Sequence, residues 1–320
     1  MSKKNLNLIL QAGFCALLWA TAIPTLKFTY AALQMPADDF FNRMVLAGMR
    51  FFLSGVLLVL FHMYKTRKAP RVDKSLLRQI LLFGILNTTL QYLFFYMGTA
   101  NTGAIKAVLL DTSKPLFVVV LAHYFTKGDR LSWNKVLGLA LGFAGILVAN
   151  LEGIGAGGLS LSSTWIGEGS LIASSLANAV AVIYGKHLMG RVSSVVMNMY
   201  QFLLGALLLL VIGLAGAGGF HLQMTGPAVL LLTYSALLSA VAFVVWYKLI
   251  HTYGASRVAI YVFLIPVFGS ILSSLLFPEE NLTAHILLSL LLVSAGVVLV
   301  NKPPKKGHEK GTSPVPEGQA

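Results

Sequence analysis

Charge is scarce in this chain. Of its 320 residues only 11% are Asp, Glu, Lys or Arg and 57% are hydrophobic, whereas soluble domains run near a quarter charged. A soluble globular domain is excluded on that ground. Cysteine is scarcer still: the single Cys15 lies in an apolar segment, so no intrachain disulfide and no cysteine metal site can form. The seven histidines are far apart and mostly near segment ends, which argues against a histidine metal cluster. No Walker-type loop or nucleotide domain occurs in the sequence, which excludes ATP-driven pumping within this chain. An intramembrane hydrolase needs a nucleophile with its base, or paired metal ligands, at membrane depth, and neither grouping is found. The reading is therefore of a protein that is no enzyme and carries no cofactor.

Long apolar runs are what the chain has instead. The first, 6–26, follows the short basic stretch Met1 to Asn5. It is too long for a signal-peptide core and no cleavage pattern follows, so it is predicted as a membrane helix. Further runs lie near 44–64, 76–98, 104–125, 132–150, 166–187, 195–215, 227–249, 256–277 and 283–301. The expectation is an all-α integral membrane protein of ten transmembrane helices. Residues 302–320 are rich in Pro, Gly and Lys and are predicted to be disordered.

The stretch 92–150 returns as 243–301 when 151 is added to each position. Gly103 then falls on Gly254, Ala104 on Ala255, Pro115 on Pro266, Gly145 on Gly296 and Asn150 on Asn301. Charge type follows, with Lys106 on Arg257 and Asp129 on Glu280. A constant register through Gly, Pro and charge indicates tandem duplication. The first helices align at an offset of 159, placing Trp19 on Asn178 and Lys27 on Lys186, and by Arg50, which meets Gln201, the offset is 151. Two units follow, 6–150 and 166–301. Five helices per unit is an odd number, so the second enters the membrane from the opposite side and the repeats are inverted. The positive-inside rule gives a consistent topology. With both termini cytoplasmic, the inner loops collect most of the 24 basic residues, whereas outer loops hold Asp38, Asp39, Glu152, Glu279 and Glu280. The formal charge of +13 thus reflects topology, with attraction to anionic lipid, rather than a nucleic-acid partner.

Ten helices in inverted repeats, the Leu17-Leu18-Trp19-Ala20-Thr21-Ala22 run, the Arg50-Phe51-Phe52-Leu53 entry to the second helix and the Gly103-Ala104-Ile105-Lys106 turn resemble the drug/metabolite transporter superfamily, EamA-like family. An acidic residue before the fifth helix of each repeat fits too, although Gly128-Asp129 stands where Gly-Glu is common. The resemblance implies a carrier of small organic solutes, such as amino acids, amines, carboxylates or drugs, in a bacterial-type cytoplasmic membrane, working by alternating access. It also implies a central cavity lined by the first, third and fourth helices of each repeat.

The residues that are costly to keep in lipid are the candidates for substrate contact. A charge at mid-membrane costs about 2.5 to 3.5 kcal/mol on insertion scales. Asp111 and Lys114 sit within the expected fourth helix, three apart and hence on one face, beside Pro115, which removes a backbone hydrogen bond. Lys114 suits an anionic group and Asp111 an amine or a coupled proton; a purely structural ion pair is the alternative. The other repeat has Val262 and Ile265 at these positions. Asn87 and Gln91 are four apart, and their counterparts Leu238 and Ala242 are apolar; interhelical hydrogen bonding is the bland reading. Ser174 and Asn178 show the same spacing, and Trp19, Thr21 and Thr25 lie near Pro24. Tyr261 is the strongest aromatic candidate, ahead of Trp246 and Tyr247, because aromatics at helix ends are more often interface anchors.

Other features read blandly. Gly138 and Gly142 suit close helix packing, within the chain or in a dimer. Arg50 is expected to be an outer-end anchor or loop partner, with a gating role as the alternative, Lys27, Lys106 and Lys186 to snorkel to head groups, and Glu168 to complement a helix N-terminus, with proton entry as the lesser reading. The function expected is a secondary transporter exporting an amino acid or related metabolite, with a proton as candidate coupling ion. A channel and a non-transporting receptor are the readings from other classes. One chain holds both halves, so monomer and homodimer both stay open.

Overall fold

The computed structural model describes residues 3–36, 39–101, 107, 110–149, 151, 165–276 and 284–301. Among them no strand occurs and the chain forms ten helical stretches: α1 (Lys3–Ala32), α2 (Phe40–Thr66), α3 (Lys74–Ala100), α4 (Lys114–Phe125), α5 (Trp133–Ala149), α6 (Trp165–Leu188), α7 (Ser194–Ala217), α8 (Gly226–Tyr253), α9 and α10 (Ala284–Asn301). The α9 stretch is made of Ala255–Ala259, a 3₁₀ turn Ile260–Phe263 and Leu264–Leu276. Six of the ten, α1 to α3 and α6 to α8, are long and apolar enough to cross a membrane, and the other four are shorter apolar helices. Gly103, Ala104, Lys106, Asn150, Asp38, Glu152, Glu279, Glu280 and the tail from 302 lie outside the described residues.

Short polar residues start the helices by satisfying orphan N–H groups. Asp73 accepts from the amides of Ser75 at 2.8 Å and Leu76 at 3.1 Å, and Asp39, Ser193 and Thr225 cap α2, α7 and α8 in the same way. Gly254, at φ +95°, makes the sharp turn between α8 and α9, a backbone state that only glycine adopts without strain.

Small residues let helices approach where lipid offers no hydrophobic drive. A Cβ at Gly48 would stand 2.7 Å from Leu210, which is how α2 and α7 close on each other. A Cβ at Gly138 would stand 2.8 Å from the Gly296 carbonyl, so the small-residue pair of α5 packs on α10 within the chain. Large apolar side chains such as Leu10, Leu230 and Leu291 point outward, and Trp133 and Trp165 are exposed at helix starts, where interface anchors belong.

Four places depart from regular α-helix. Ile85–Leu90 in α3 and Trp165–Gly169 in α6 are π-helical. Thr112 and Ser113 form a turn between helical Leu110–Asp111 and the start of α4, and Ile260–Phe263 is 3₁₀. The expected unbroken helix over 104–125 is thus corrected: it is interrupted immediately before Lys114. Pro115 is the cause, since it has no N–H to give the Asp111 carbonyl and its fixed φ suits the first turn of a helix. The Leu110 carbonyl instead accepts from the Ser113 amide at 3.1 Å and the Ser113 hydroxyl at 2.6 Å. Adding 151 to Thr112 gives Phe263, so the two interruptions coincide at the sequence offset of 151.

Candidate functional site

The break before α4 carries the charges. Lys114 and Asp111 form an ion pair across it, with side chains 14% and 27% exposed, and the Lys114 ammonium lies 5.5 Å from the Phe95 ring centre. Two segments fix the position of this turn. Ser113 closes it from inside, and Ser175 of α6 donates to the Leu110 carbonyl at 3.3 Å.

Beside the pair, α3 meets α6 through one glutamine. Gln91 Oε1 accepts from Asn178 Nδ2 at 3.1 Å, and the Gln91 backbone carbonyl accepts from the Ser174 hydroxyl at 2.9 Å. Lys114, Pro115, Val118, Asn178, Val182, Trp246, Ile250, Ala259 and Val262 line a cavity of about 20 Å³, room for about one water. Trp19 closes the neighbouring space, packing edge-on to Trp246 at 4.9 Å and to Phe243 at 5.4 Å. Lys114, Asn178 and Trp246 thus face one space, with Asp111, Gln91 and Trp19 bound to or packed on its lining.

Asn87 does not join them. It donates to Gln201 Oε1 at 2.9 Å and accepts from the Tyr247 hydroxyl at 3.0 Å, while Gln201 donates to Asn198 Oδ1 at 2.6 Å. These four residues are at most 1% exposed, and they form a closed polar network between α3, α7 and α8. The spacing of four that puts Asn87 and Gln91 on one face holds in an α-helix. The π turn at 85–90 adds a residue to that turn and sends the two amides to different partners. Tyr261 is fully buried in the 3₁₀ turn and is not among the residues lining the cavity. Trp246 and Tyr247 are buried at 5% and 1% rather than anchored at an interface.

Two lysine and arginine expectations also change. Lys186 does not simply snorkel: its ammonium lies 3.6 Å from Asp129 Oδ2. Asp129 is 6% exposed, bonded to Lys135 at 2.7 Å and to the Ser256 amide at 3.2 Å, so it clasps the α4–α5 loop to α6 and α9. Burial pushes its carboxyl up, but the Lys135 bond and charge together with the Ser256 amide outweigh that and hold it below the usual carboxylate range. Around the clasp opens a vestibule of about 740 Å³ bordered by Asn5, Lys127, Arg130, Tyr253 and Arg257. Arg50, expected as an outer-end anchor, is instead 7% exposed inside the bundle. Its alignment with Gln201, the centre of the buried network, was the sequence signal for this.

A family model described as the EamA-like transporter family matches residues 7–151 and again 165–302. The chain belongs to the EamA-like transporter family. This EamA-like protein is similar to an uncharacterized transporter, YvbV, of Bacillus subtilis (strain 168), 31% identical over 91% of this chain and 90% of that protein. A second Bacillus subtilis transporter, YoaV, is 25% identical over 85% of this chain and 91% of its own length. A WAT1-related chloroplast protein of Arabidopsis thaliana is 28% identical over 88% of this chain and 65% of that one. A solved structure superposes with a TM-score of 0.74 at 19% identity, over 91% of this chain and 95% of the other, which shows a shared fold. The EamA-like chain is accordingly a multi-pass membrane transporter.

Proposed function

We propose that this transporter is a secondary carrier that exports a small organic solute, an amino acid or related metabolite, across a bacterial-type cytoplasmic membrane. The observation that carries the reading is the Asp111–Lys114 ion pair on an interrupted helix, facing a cavity shared with Asn178 and Trp246. Irregular backbone at membrane depth is tolerated where it lines a cavity, and broken helices at a repeat interface are the usual substrate sites of secondary transporters. The second interruption, in the register of the first, and the two successive family matches support ten helices in two inverted repeats. The basic residues around the vestibule support cytoplasmic termini. A cavity of about 20 Å³ is far too small for an amino acid, so loading requires the halves to part, which is what alternating access supplies. Asp111 is the candidate proton carrier, and Gln91 and Asn178 orient the solute. Either a monomer or a homodimer suits this scheme.

Counterflow in proteoliposomes tests the class of the protein. A panel of labelled amino acids, amines and carboxylates is offered to vesicles preloaded with unlabelled solute. A carrier shows saturable, transient accumulation of at least one compound; flux that rises linearly and shows no counterflow indicates a channel and contradicts the proposal.

A further inference from the structure

One buried charge in the described bundle belongs to neither the ion pair nor the clasp. Arg50 lies ten residues into α2, about 15 Å along the helix at 1.5 Å per residue, and is 7% exposed. No carboxylate pairs with it among the described residues, and its Nε is buried without a hydrogen-bond partner. Its company is aromatic: the guanidinium lies 4.4 Å from the Phe51 ring centre and 5.8 Å from that of Tyr92. Rings can hold a cation by its face, and the Tyr92 side chain also takes a hydrogen bond from Arg50, but the Nε edge of the guanidinium, one prong of the fork that matches a carboxylate, is left without an acceptor.

The other repeat shows what a satisfied residue looks like at this position. Gln201, the counterpart of Arg50, takes bonds from Asn87 and gives one to Asn198. The counterpart of Asn198 is Ala47, and that of Asn87 is Leu238. Both corresponding positions are therefore apolar in sequence, and Ala47 and Arg50 border, with Thr29, Tyr96 and Ser235, a cavity of about 10 Å³ between α1, α2, α3 and α8. Tyr92, whose ring lies 5.8 Å from the Arg50 guanidinium, is on α3 one residue after Gln91, which bonds Asn178 of the lining beside Lys114.

We propose that Arg50 is the carboxylate-binding residue of the translocation route, holding the acid group of an organic monocarboxylate in a two-pronged pair. This rests on the transporter reading and narrows its substrate class. Lys114 is neutralised by Asp111, whereas Arg50 is buried with no carboxylate beside it among the described residues. One guanidinium and one carboxylate leave no net buried charge, whereas a phosphate dianion leaves an excess negative charge in a low-dielectric site.

The test is heat stabilisation of the full detergent-purified chain by matched pairs: propionate and propionamide, benzoate and benzamide, L-leucine and L-leucinamide, with inorganic phosphate alongside. The wild type is expected to respond to at least one carboxylate and not to its amide. Arg50→Gln is expected to weaken that carboxylate at least tenfold while melting near the wild type without ligand. Should Arg50→Gln fail to fold, Arg50→Lys decides, since it keeps the charge and loses the fork; a several-fold loss in carboxylate affinity is expected. Carboxylate binding that is unchanged in these variants, a response confined to phosphate, or no carboxylate response in the wild type overturns the proposal. Counterflow separates the two readings. Binding through Arg50 with no counterflow by any solute leaves this inference standing and sinks the carrier, whereas counterflow of amines that ignores Arg50→Gln does the reverse.

Discussion

At the scale of single residues, the bundle spends its polar groups in two ways. The Tyr247–Asn87–Gln201–Asn198 network is closed on itself, with donors and acceptors matched in the dry interior. Leaving a buried acceptor without its donor costs about 1 to 3 kcal/mol. Tyr247→Phe removes the donor to Asn87 Oδ1 and is expected to lower the melting temperature in detergent while changing counterflow little; an unaltered melt contradicts a structural role. Asp129 behaves differently because it ionises. Its folded pKa is depressed below the ordinary 3.8, so the unfolded chain takes up a proton first as pH falls. Its stabilisation is complete above the ordinary carboxylate range and is lost as pH drops through the folded value. The difference in melting temperature between wild type and Asp129→Asn should therefore be constant from pH 7 to 5 and shrink below about pH 4. A gap that does not narrow at all as pH falls below the ordinary carboxylate range contradicts the clasp.

At the scale of elements, what matters is where helices stop being α-helical. Pro115 forces the break that holds Asp111 and Lys114 in a turn. Pro115→Ala restores the missing N–H, and the helix is expected to run on through Thr112 and Ser113. The variant should melt no lower than the wild type and transport at least tenfold more slowly, measured as initial counterflow rate; undiminished transport contradicts a role for the break. These elements also mark the limit of reading the sequence. The apolar runs were legible because each is a sustained stretch, and the charges at 111 and 114 stood out against one such run. The π turn at 85–90 was not legible, since hydropathy and spacing do not report whether an amide bonds four or five residues back. That is why Asn87 and Gln91 read as one face and serve two. Arg50 was misjudged for a similar reason: a basic residue near the start of an apolar run suggests a helix end, but α2 begins ten residues earlier at Phe40.

At the scale of the whole molecule, the family assignment establishes a membrane transporter, and the polar groups of the proposed site are spread unevenly along the chain. The first half supplies Arg50, Gln91, Asp111 and Lys114, while the second contributes Asn178 and the aromatic wall at Trp246. A carrier with one polar centre between two halves should lose transport when either charge of that centre is removed, without losing its fold. The most direct measurement is counterflow of the solute identified in proteoliposomes, compared between wild type, Asp111→Asn and Lys114→Met at matched reconstitution. The account predicts that both variants insert and melt normally and that counterflow falls at least tenfold in each. Wild-type rates in both would contradict it, making the pair a brace and moving the binding site elsewhere in the bundle.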